Sequence, residues 1–312
     1  MRVNRQNLYL VLLLIAQFFW AGNFIIGRAI HSAIPPFTLA FYRWLWVSVL
    51  LFPWTYRLMP PYKAKIKKHF WPILIWSLLS IVIYTPIIYL GLHSTSVLSG
   101  SLMIATIPVL ITVFSTVIIR YKLSIKIIFG IIVSLVGVLL ILTHGQMMRL
   151  LGIHYNIGDV IIFIDAIIWA LAAVLYKKFA IPLPPIIFLF ITSCIGTIML
   201  FPCFLIEHHL GYSMHYHWIT VGSIAYTAIF SSIISFSFWN IGIQQIGPAK
   251  SGYFLNLLPV FSSILAIIFL GESLHIYHVI GFSLVFIGII LSSSQKRWNT
   301  QPSEMLSDLT LD

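Results

Sequence analysis

The sequence predicts an all-α integral membrane protein with ten transmembrane helices, arranged as two inverted five-helix repeats. Three observations lead to this prediction: the composition, the number of long apolar stretches, and an internal repeat. Of the 312 residues, 60% are hydrophobic and only 8% are charged. A soluble domain carries roughly 25% charged residues, so this chain has too few charges to cover a surface that faces water.

The positive charge of the chain has two readings. A net charge of +11 would suit nucleic-acid binding, but the Lys and Arg residues occur in short clusters between apolar stretches. No nucleic-acid partner is therefore expected. The two cysteines, Cys194 and Cys203, fall on opposite faces of one predicted helix and are interpreted as packing residues.

Ten apolar stretches have the length of about 20 residues that a membrane-spanning helix needs. The first resembles a signal peptide but exceeds the usual apolar core of about 7–15 residues, so we interpret it as a span. The predicted spans are 8–28, 36–56, 70–90, 97–119, 126–143, 158–176, 184–206, 218–239, 249–270 and 274–294.

The basic residues predict the orientation of the chain. The segments that share a side with the N-terminus carry 15 of the 18 Lys and Arg residues, and the opposite side carries only Arg28 and Arg149. Because cytoplasmic loops are enriched in Lys and Arg, both termini are expected in the cytoplasm. The expected location is a cell membrane, specifically a bacterial inner membrane, with the lipid bilayer as a partner.

An internal repeat supports the count of spans. Residues 20–41 match residues 169–190 at an offset of 149, including Trp20 with Trp169 and Phe41 with Phe190. Farther along, the offset becomes 151, as in Gly91 with Gly242. Five spans per half force the second half to be inverted relative to the first. Inverted halves can open a central site to alternate sides of a membrane, so alternating-access transport is the expected function.

The repeat divides the chain into three parts: a first five-helix repeat at 1–147, a second at 148–294, and a cytoplasmic tail at 295–312. No Gly-rich nucleotide-binding loop with Lys-Ser/Thr is present. The energy source is then expected to be a proton gradient, an exchange substrate or downhill flux. No cofactor is expected.

The residues resemble a known family. The ten spans, the five-plus-five repeat, the opening Trp20-Ala21-Gly22-Asn23-Phe24, and the run Gly271-Glu272-Ser273-Leu274 after Leu257-Leu258-Pro259-Val260 are similar to the EamA-type permeases of the drug/metabolite transporter superfamily. The first half departs from that pattern, with Arg120-Tyr121-Lys122-Leu123 where a Gly-Glu pair often stands. The resemblance implies export or exchange of amino acids, related metabolites or amphipathic drugs.

Three charged residues are candidates for coupling or gating, since a charge inside a bilayer is costly. Asp165 precedes Trp169 by one turn, and could bind an amine, take up a proton, or serve as a structural partner. Arg43 could pair with a substrate carboxylate or with Asp165, or could hold helices together. Glu272, at the outer end of span nine, is interpreted as a helix-end residue, with gating or proton coupling as the alternative.

Polar and aromatic residues on several spans predict a substrate cavity. In span eight, Ser223, Thr227, Ser231, Ser235 and Trp239 recur every four residues and so share one helix face. Such a stripe either joins helices by hydrogen bonds or lines a wet pathway. The candidate substrate-binding residues are Trp20, Asn23, Tyr84, Asp165, Trp169, Ser231, Ser235, Trp239, Tyr253 and Asn256. Aromatic walls with a few polar contacts suit a small organic solute.

Repeated prolines and glycines predict mechanical features. Pro108 and Pro259 occupy equivalent positions in the two repeats and are candidate hinges. The pairs Gly130/Gly137 and Gly281/Gly288 are interpreted as sites where spans five and ten pack closely.

The His-rich segment 207–217 raises the question of a metal site, but interface anchoring by Tyr212, Tyr216 and Trp218 is the preferred interpretation. A secondary transporter of small organic metabolites, most of all amino acids, is therefore the predicted function. An intramembrane enzyme and a receptor or assembly factor are the alternatives, although no GxSxG or HExxH motif is present. The sequence leaves the oligomeric state open.

Overall fold

The fold is a bundle of helices, seen in a computed structural model that describes residues 5–30, 32–94, 103–120, 124–143, 145–148, 157–215, 217–270 and 275–293. Helical segments lie at all ten predicted positions, and they are numbered α1 to α10 here. Those of the first repeat are α1 (Arg5–Ala29), α2 (Pro36–Leu58), α3 (Phe70–Ser77, Leu78–Ile83 and Tyr84–Ser94), α4 (Ile107–Ile119) and α5 (Ile125–Leu142). Those of the second repeat are α6 (Ile157–Phe179), α7 (Pro185–His209), α8 (Trp218–Tyr226, Thr227–Ile234 and Ser235–Ile246), α9 (Pro248–Tyr253, Phe254–Asn256 and Leu257–Leu270) and α10 (Ile276–Ser293).

The described residues form helices and turns without a strand, which confirms the predicted all-α class. Six of the helices are long and apolar enough to cross a membrane, and three shorter apolar helices lie at 103–119, 125–141 and 276–291. Large aromatic side chains are exposed near the ends of helices, among them Trp54, Trp71 and Trp218. Aromatic residues at such levels are typical of a membrane interface.

The two halves pack in a symmetric way. A Cβ atom at Gly91 of α3 would collide with Ile162 of α6, and one at Gly242 of α8 would collide with Leu13 of α1. Gly91 and Gly242 are repeat mates, and so are Leu13 and Ile162. The first helix of each half therefore packs against the third helix of the other half by the same contact. The third helices need glycine there to let the first helices approach.

The third helix of each half contains a π-helical segment, at Leu78–Ile83 in α3 and at Thr227–Ile234 in α8. The offset between the repeats is 149 at the first residues of these segments and 151 at their last residues. The second segment is thus two residues longer, and it absorbs the extra residues without breaking the span. Segments of this kind arise where residues are inserted into a helix, and they often lie at functional sites.

The ends of two helices are joined on the side opposite the N-terminus. Glu207, near the end of α7, accepts hydrogen bonds from the backbone nitrogens of Phe37 (3.2 Å) and Thr38 (2.6 Å), and from the Thr38 hydroxyl (2.8 Å). These nitrogens belong to the first turn of α2, where free N–H groups and the helix dipole favour a carboxylate. Glu207 therefore acts as a cap supplied by another helix.

We expect Glu207→Ala to lower stability by about 1 kcal/mol, the usual cost of losing a helix cap. Glu207→Gln keeps one acceptor oxygen and should cost less. The measurement is the unfolding temperature of the purified variants in detergent. Equal unfolding temperatures for the wild type and Glu207→Ala would show that the cap contributes nothing.

Helices α5 and α10 pack at backbone distance, as the glycine pattern predicted. A Cβ atom at Gly288 would lie 2.5 Å from the carbonyl oxygen of Gly130 and 2.6 Å from the backbone nitrogen of Ser134. At Gly137, it would lie 2.7 Å from the carbonyl oxygen of Gly281. Rigid backbone, rather than flexible side chains, surrounds both positions.

Gly288→Ala should therefore destabilise the protein by about 2 kcal/mol, because the two backbones must move apart. Gly222→Ala is the matched control, since a Cβ atom there would meet nothing within 4 Å. It should leave stability unchanged or raise it slightly, because Ala favours a helix more than Gly does. Thermal unfolding of both variants tests the difference, and equal effects would contradict the close packing.

Candidate functional site

Three tryptophans from three helices meet in the centre of the bundle. The ring centroids of Trp20 and Trp169 are 5.5 Å apart, those of Trp20 and Trp239 are 5.5 Å apart, and those of Trp169 and Trp239 are 5.9 Å apart. Trp20 and Trp169 are repeat mates, so the first helices of both halves contribute equivalent residues. We call Trp20, Trp169 and Trp239 the tryptophan cluster.

Two further rings extend the tryptophan cluster. Tyr84 of α3 lies against Trp169, with centroids 4.5 Å apart. Phe236 of α8 contacts Trp20 at 5.6 Å, Trp169 at 5.5 Å and Trp44 of α2 at 5.2 Å. The result is a buried aromatic region with offset and edge-on contacts, which are the favourable geometries for aromatic rings.

Arg43 of α2 is buried beside this region and is held by hydroxyl groups. Its Nε donates to Ser232 Oγ (2.6 Å), one terminal nitrogen donates to Tyr89 (3.0 Å), and the other donates to Ser231 Oγ (3.2 Å). The Tyr89 hydroxyl in turn donates to Asn23 Oδ1 of α1 at 3.1 Å. Arg43 therefore links α2 to α3 and α8, and through Tyr89 to α1.

The π-helical segment of α8 explains how Arg43 reaches two consecutive serines. In an α-helix, neighbouring residues point about 100° apart, whereas the wider π-helical turn brings Ser231 and Ser232 to the same guanidinium. The changed backbone pattern also leaves the Ser231 carbonyl oxygen available, and Trp20 Nε1 donates to it at 2.9 Å. One irregular turn thus positions both the charge and a cluster tryptophan.

Asp165 of α6 is fully buried, one turn from Trp169. Neither of its carboxylate oxygens has a hydrogen-bond partner among the described residues. The predicted pairing with Arg43 is one of the interpretations that the structure does not form, because Arg43 bonds to hydroxyls instead. Tyr84 interacts electrostatically with both Asp165 and Arg43, so it lies between the two charges.

Two amide side chains near the tryptophan cluster share this lack of partners. Gln17 lies one turn before Trp20, and Asn240 follows Trp239; both are fully buried. Neither the nitrogen nor the oxygen of either amide has a partner among the described residues. A buried polar group without a partner costs about 1–3 kcal/mol, so native proteins rarely keep several together. Such groups indicate a place where a polar solute or water binds.

The structure gathers part of the predicted set of site residues. Trp20, Tyr84, Asp165, Trp169 and Trp239 come together, and Asn23 and Ser231 join through the Arg43 network. The Ser235 hydroxyl donates to the Phe230 carbonyl of its own helix. Asn256 lies against α5, where its amide donates to Ser134 at 2.7 Å, and Tyr253 is buried just before it.

The predicted hinges lie near the starts of helices. Pro108 is the second residue of Ile107–Ile119, and Pro259 is the third residue of Leu257–Leu270, after the tight turn Phe254–Asn256. Their hinge role remains a prediction. Glu272 lies outside the described residues, and so does Tyr216.

Several residues of the site were not predicted from the sequence, namely Gln17, Trp44, Tyr89, Ser232, Phe236 and Asn240. The change of repeat offset from 149 to 151 was a usable signal for Ser232, since it indicates an insertion in the third helix. The search for metal sites gives no group of three or more His, Cys, Asp or Glu residues within the described part of the chain.

Comparison with known families uses the same two halves. The sequence profile of the EamA-like transporter family matches residues 7–143 and again residues 156–294. The chain belongs to the EamA-like transporter family. Two consecutive matches place one EamA unit on each repeat, so this EamA protein is a membrane transporter of two fused copies.

Relatives of this EamA protein occur in bacteria and archaea. The uncharacterized transporter YyaM of Bacillus subtilis (strain 168) is 28% identical over 231 residues, which is 74% of this chain and 75% of YyaM. An uncharacterized transporter of Archaeoglobus fulgidus is 24% identical over 290 residues, 92% of this chain and 97% of that one. A solved crystal structure superimposes with a TM-score of 0.72 at 16% identity, covering 90% of this chain and 96% of that chain, which supports the fold alone.

Proposed function

We propose that this chain is a secondary transporter that exports or exchanges amino acids or related amphipathic metabolites by alternating access. The observation that carries the proposal is the pair of buried, opposite charges, Asp165 and Arg43, on either side of Tyr84. Neither is neutralised by an opposite charge among the described residues. A zwitterion would neutralise both, with its ammonium at Asp165 and its carboxylate at Arg43.

The surrounding rings suit the rest of such a solute. The tryptophan cluster and Phe236 offer apolar faces to a side chain, while Gln17 and Asn240 offer donors and acceptors. Aromatic faces also attract ammonium groups, by about 0.5–2 kcal/mol depending on exposure. An amino acid with an apolar or aromatic side chain combines all of these features.

The symmetric packing of the halves supports alternating access. Equivalent contacts join α1 to α8 and α3 to α6, so the two halves can exchange roles when the central site opens to the other side. The distribution of Lys and Arg favours cytoplasmic termini in a cell membrane. Asp165 is the proposed site for a coupling proton, because the carboxylate that binds ammonium can bind H⁺ instead.

The test is efflux from proteoliposomes loaded with a mixture of amino acids and nucleotide-related metabolites, read by mass spectrometry. Vesicles are compared with and without a pH gradient, beside protein-free vesicles. We expect selective loss of zwitterionic amino acids, faster than from protein-free vesicles by about tenfold or more, which corresponds to one good charged contact.

Two outcomes would overturn the proposal. If no solute leaves faster than from protein-free vesicles, the chain does not transport these metabolites. If only nucleotide-related anions leave, the site does not select a zwitterion. Loss of amino acids without any effect of the pH gradient would remove the proton and leave exchange or downhill flux as the mode.

A further inference from the structure

A separate cavity lies at the end of α6 that carries the basic residues. It has a volume of about 270 Å³ and is lined by Tyr176, Lys177, Ala180, Ile181, Pro182, Leu183 and Gln244. This volume equals that of about nine liquid waters at about 30 Å³ each. The cavity is distinct from the tryptophan cluster, which lies two helical turns away along α6.

The lining supplies hydrogen-bond donors and a positive charge. Lys177 Nζ donates to the backbone oxygen of Gln244 at 2.7 Å, and Gln244 Nε2 donates to the Tyr176 hydroxyl at 2.7 Å. None of the seven lining residues is acidic. An ammonium with three N–H donors and a phenol, in a recess without carboxylates, is chemistry that favours an anion.

The backbone is shaped around the recess. Ala180 ends α6 with a φ of 43°, a left-handed conformation that is unfavourable for a residue with a side chain. The chain then turns tightly, with the Leu183 N–H bonded to the Ile181 carbonyl at 2.8 Å. Strain of this kind persists only where the surrounding structure requires it, and here it keeps one wall of the cavity in place.

A row of rings connects the cavity to the centre of the bundle. Tyr176 contacts Trp76 at 5.8 Å, Trp76 contacts Phe236 at 6.5 Å, and Phe236 contacts Trp20 at 5.6 Å. Tyr176 also shares a face of α6 with Asp165 and Trp169, because they are spaced by four and seven residues. The cavity therefore lies at the mouth of the route that a solute would take to Asp165.

We propose that this cavity, with Lys177 as its cation, is an entrance site that binds the carboxylate of the transported solute before it reaches the tryptophan cluster. The inference rests on the proposed function, because it concerns the same solute. Lys177 is half-buried and faces the cavity, whereas its neighbour Lys178 is exposed. In the first repeat, Arg28 stands at the position equivalent to Lys177, which gives the opposite entrance a cation as well.

Binding is tested without transport, by acylation of lysines in phosphatidylcholine nanodiscs, with each lysine followed by mass spectrometry. Benzoate is the anionic probe, and benzamide is its neutral counterpart. We expect benzoate to slow the acylation of Lys177 at least about threefold and to leave Lys178 unchanged, with no protection by benzamide. Equal protection of both lysines, or no protection of Lys177, would overturn the site.

A second arm distinguishes a lipid headgroup from a solute, since both carry anionic oxygens. If phosphatidylglycerol nanodiscs protect Lys177 and benzoate does not, the cavity holds a lipid and the entrance role is wrong. The role itself is tested by transport of an amino acid that the wild type carries, and of its amide. Lys177→Gln should raise the KM of the acid roughly threefold to tenfold, with Vmax and the KM of the amide unchanged.

Lys178→Gln is the matched control and should leave both KM values unchanged, whereas Lys177→Arg should restore the KM of the acid. A merely structural Lys177 would lower Vmax for the acid and the amide alike. That result, with the wild type active, would overturn the entrance site but leave the proposed function standing. A wild type without transport would instead remove the proposed function, while the benzoate result would still decide whether the anion site exists.

Discussion

Asp165→Asn is expected to reduce transport of ammonium-bearing solutes at least about tenfold without destabilising the protein. A hydrogen-bonded contact to a charged group contributes about 1.5–3 kcal/mol, and 1.4 kcal/mol corresponds to a factor of ten. Asn has the same shape but no charge, so it cannot neutralise an ammonium. Since the Asp165 carboxylate has no partner among the described residues, its removal costs no contact.

The combination of lost transport and retained stability is the diagnostic result. Efflux and thermal unfolding are measured on the same preparation, and Asp159→Asn is the control, because Asp159 is a second buried aspartate on α6. We also expect Asp165→Asn to lose any dependence of efflux on a pH gradient. A variant that transports at the wild-type rate would show that Asp165 is a structural residue.

Arg43→Ala is expected to abolish transport and to destabilise the protein by about 3 kcal/mol. The substitution leaves the hydroxyls of Ser231 and Ser232 without their donor and removes the side chain that contacts the Trp44 and Phe236 rings at 5.3 and 5.9 Å. Unsatisfied buried hydroxyls and a new cavity each destabilise by about 1–3 kcal/mol.

Arg43→Lys separates charge from geometry. Lys keeps the positive charge but replaces a planar fork by a point charge, so it can bind a substrate carboxylate yet cannot hold Ser231, Ser232 and Tyr89 together. We expect it to unfold at a lower temperature than the wild type and to transport more than Arg43→Ala does. Identical unfolding temperatures for the wild type, Arg43→Lys and Arg43→Ala would contradict the bridging role.

The sequence was sufficient for the features that depend on periodicity. The helical class follows from apolar stretches of bilayer length, and the close contact of α5 and α10 follows from glycines seven residues apart. The π-helical segments could not be placed in this way, because an apolar stretch reads the same whether its turns contain 3.6 residues or more. Only the shift of the repeat offset indicated the insertion.

The site was predictable where neighbours lie on one helix. The common face of Asp165 and Trp169 is local, so spacing alone predicts it. Contacts between helices depend on rotation and depth, which a single sequence does not determine. The partners of Arg43 and the contact of Asn256 with Ser134 belong to this second class.

The unequal charges of the two halves have a consequence for the resting state. Thr192 stands at the repeat position of Arg43, and Ala16 stands at that of Asp165. Two identical halves would interconvert between mirror-related conformers of equal free energy. With both charges placed in one orientation only, the conformer that best satisfies them is the ground state of the empty carrier. Its conformational cycle is therefore biased, so that solute flux rectifies in one direction even before any ion gradient is applied to an exchanger.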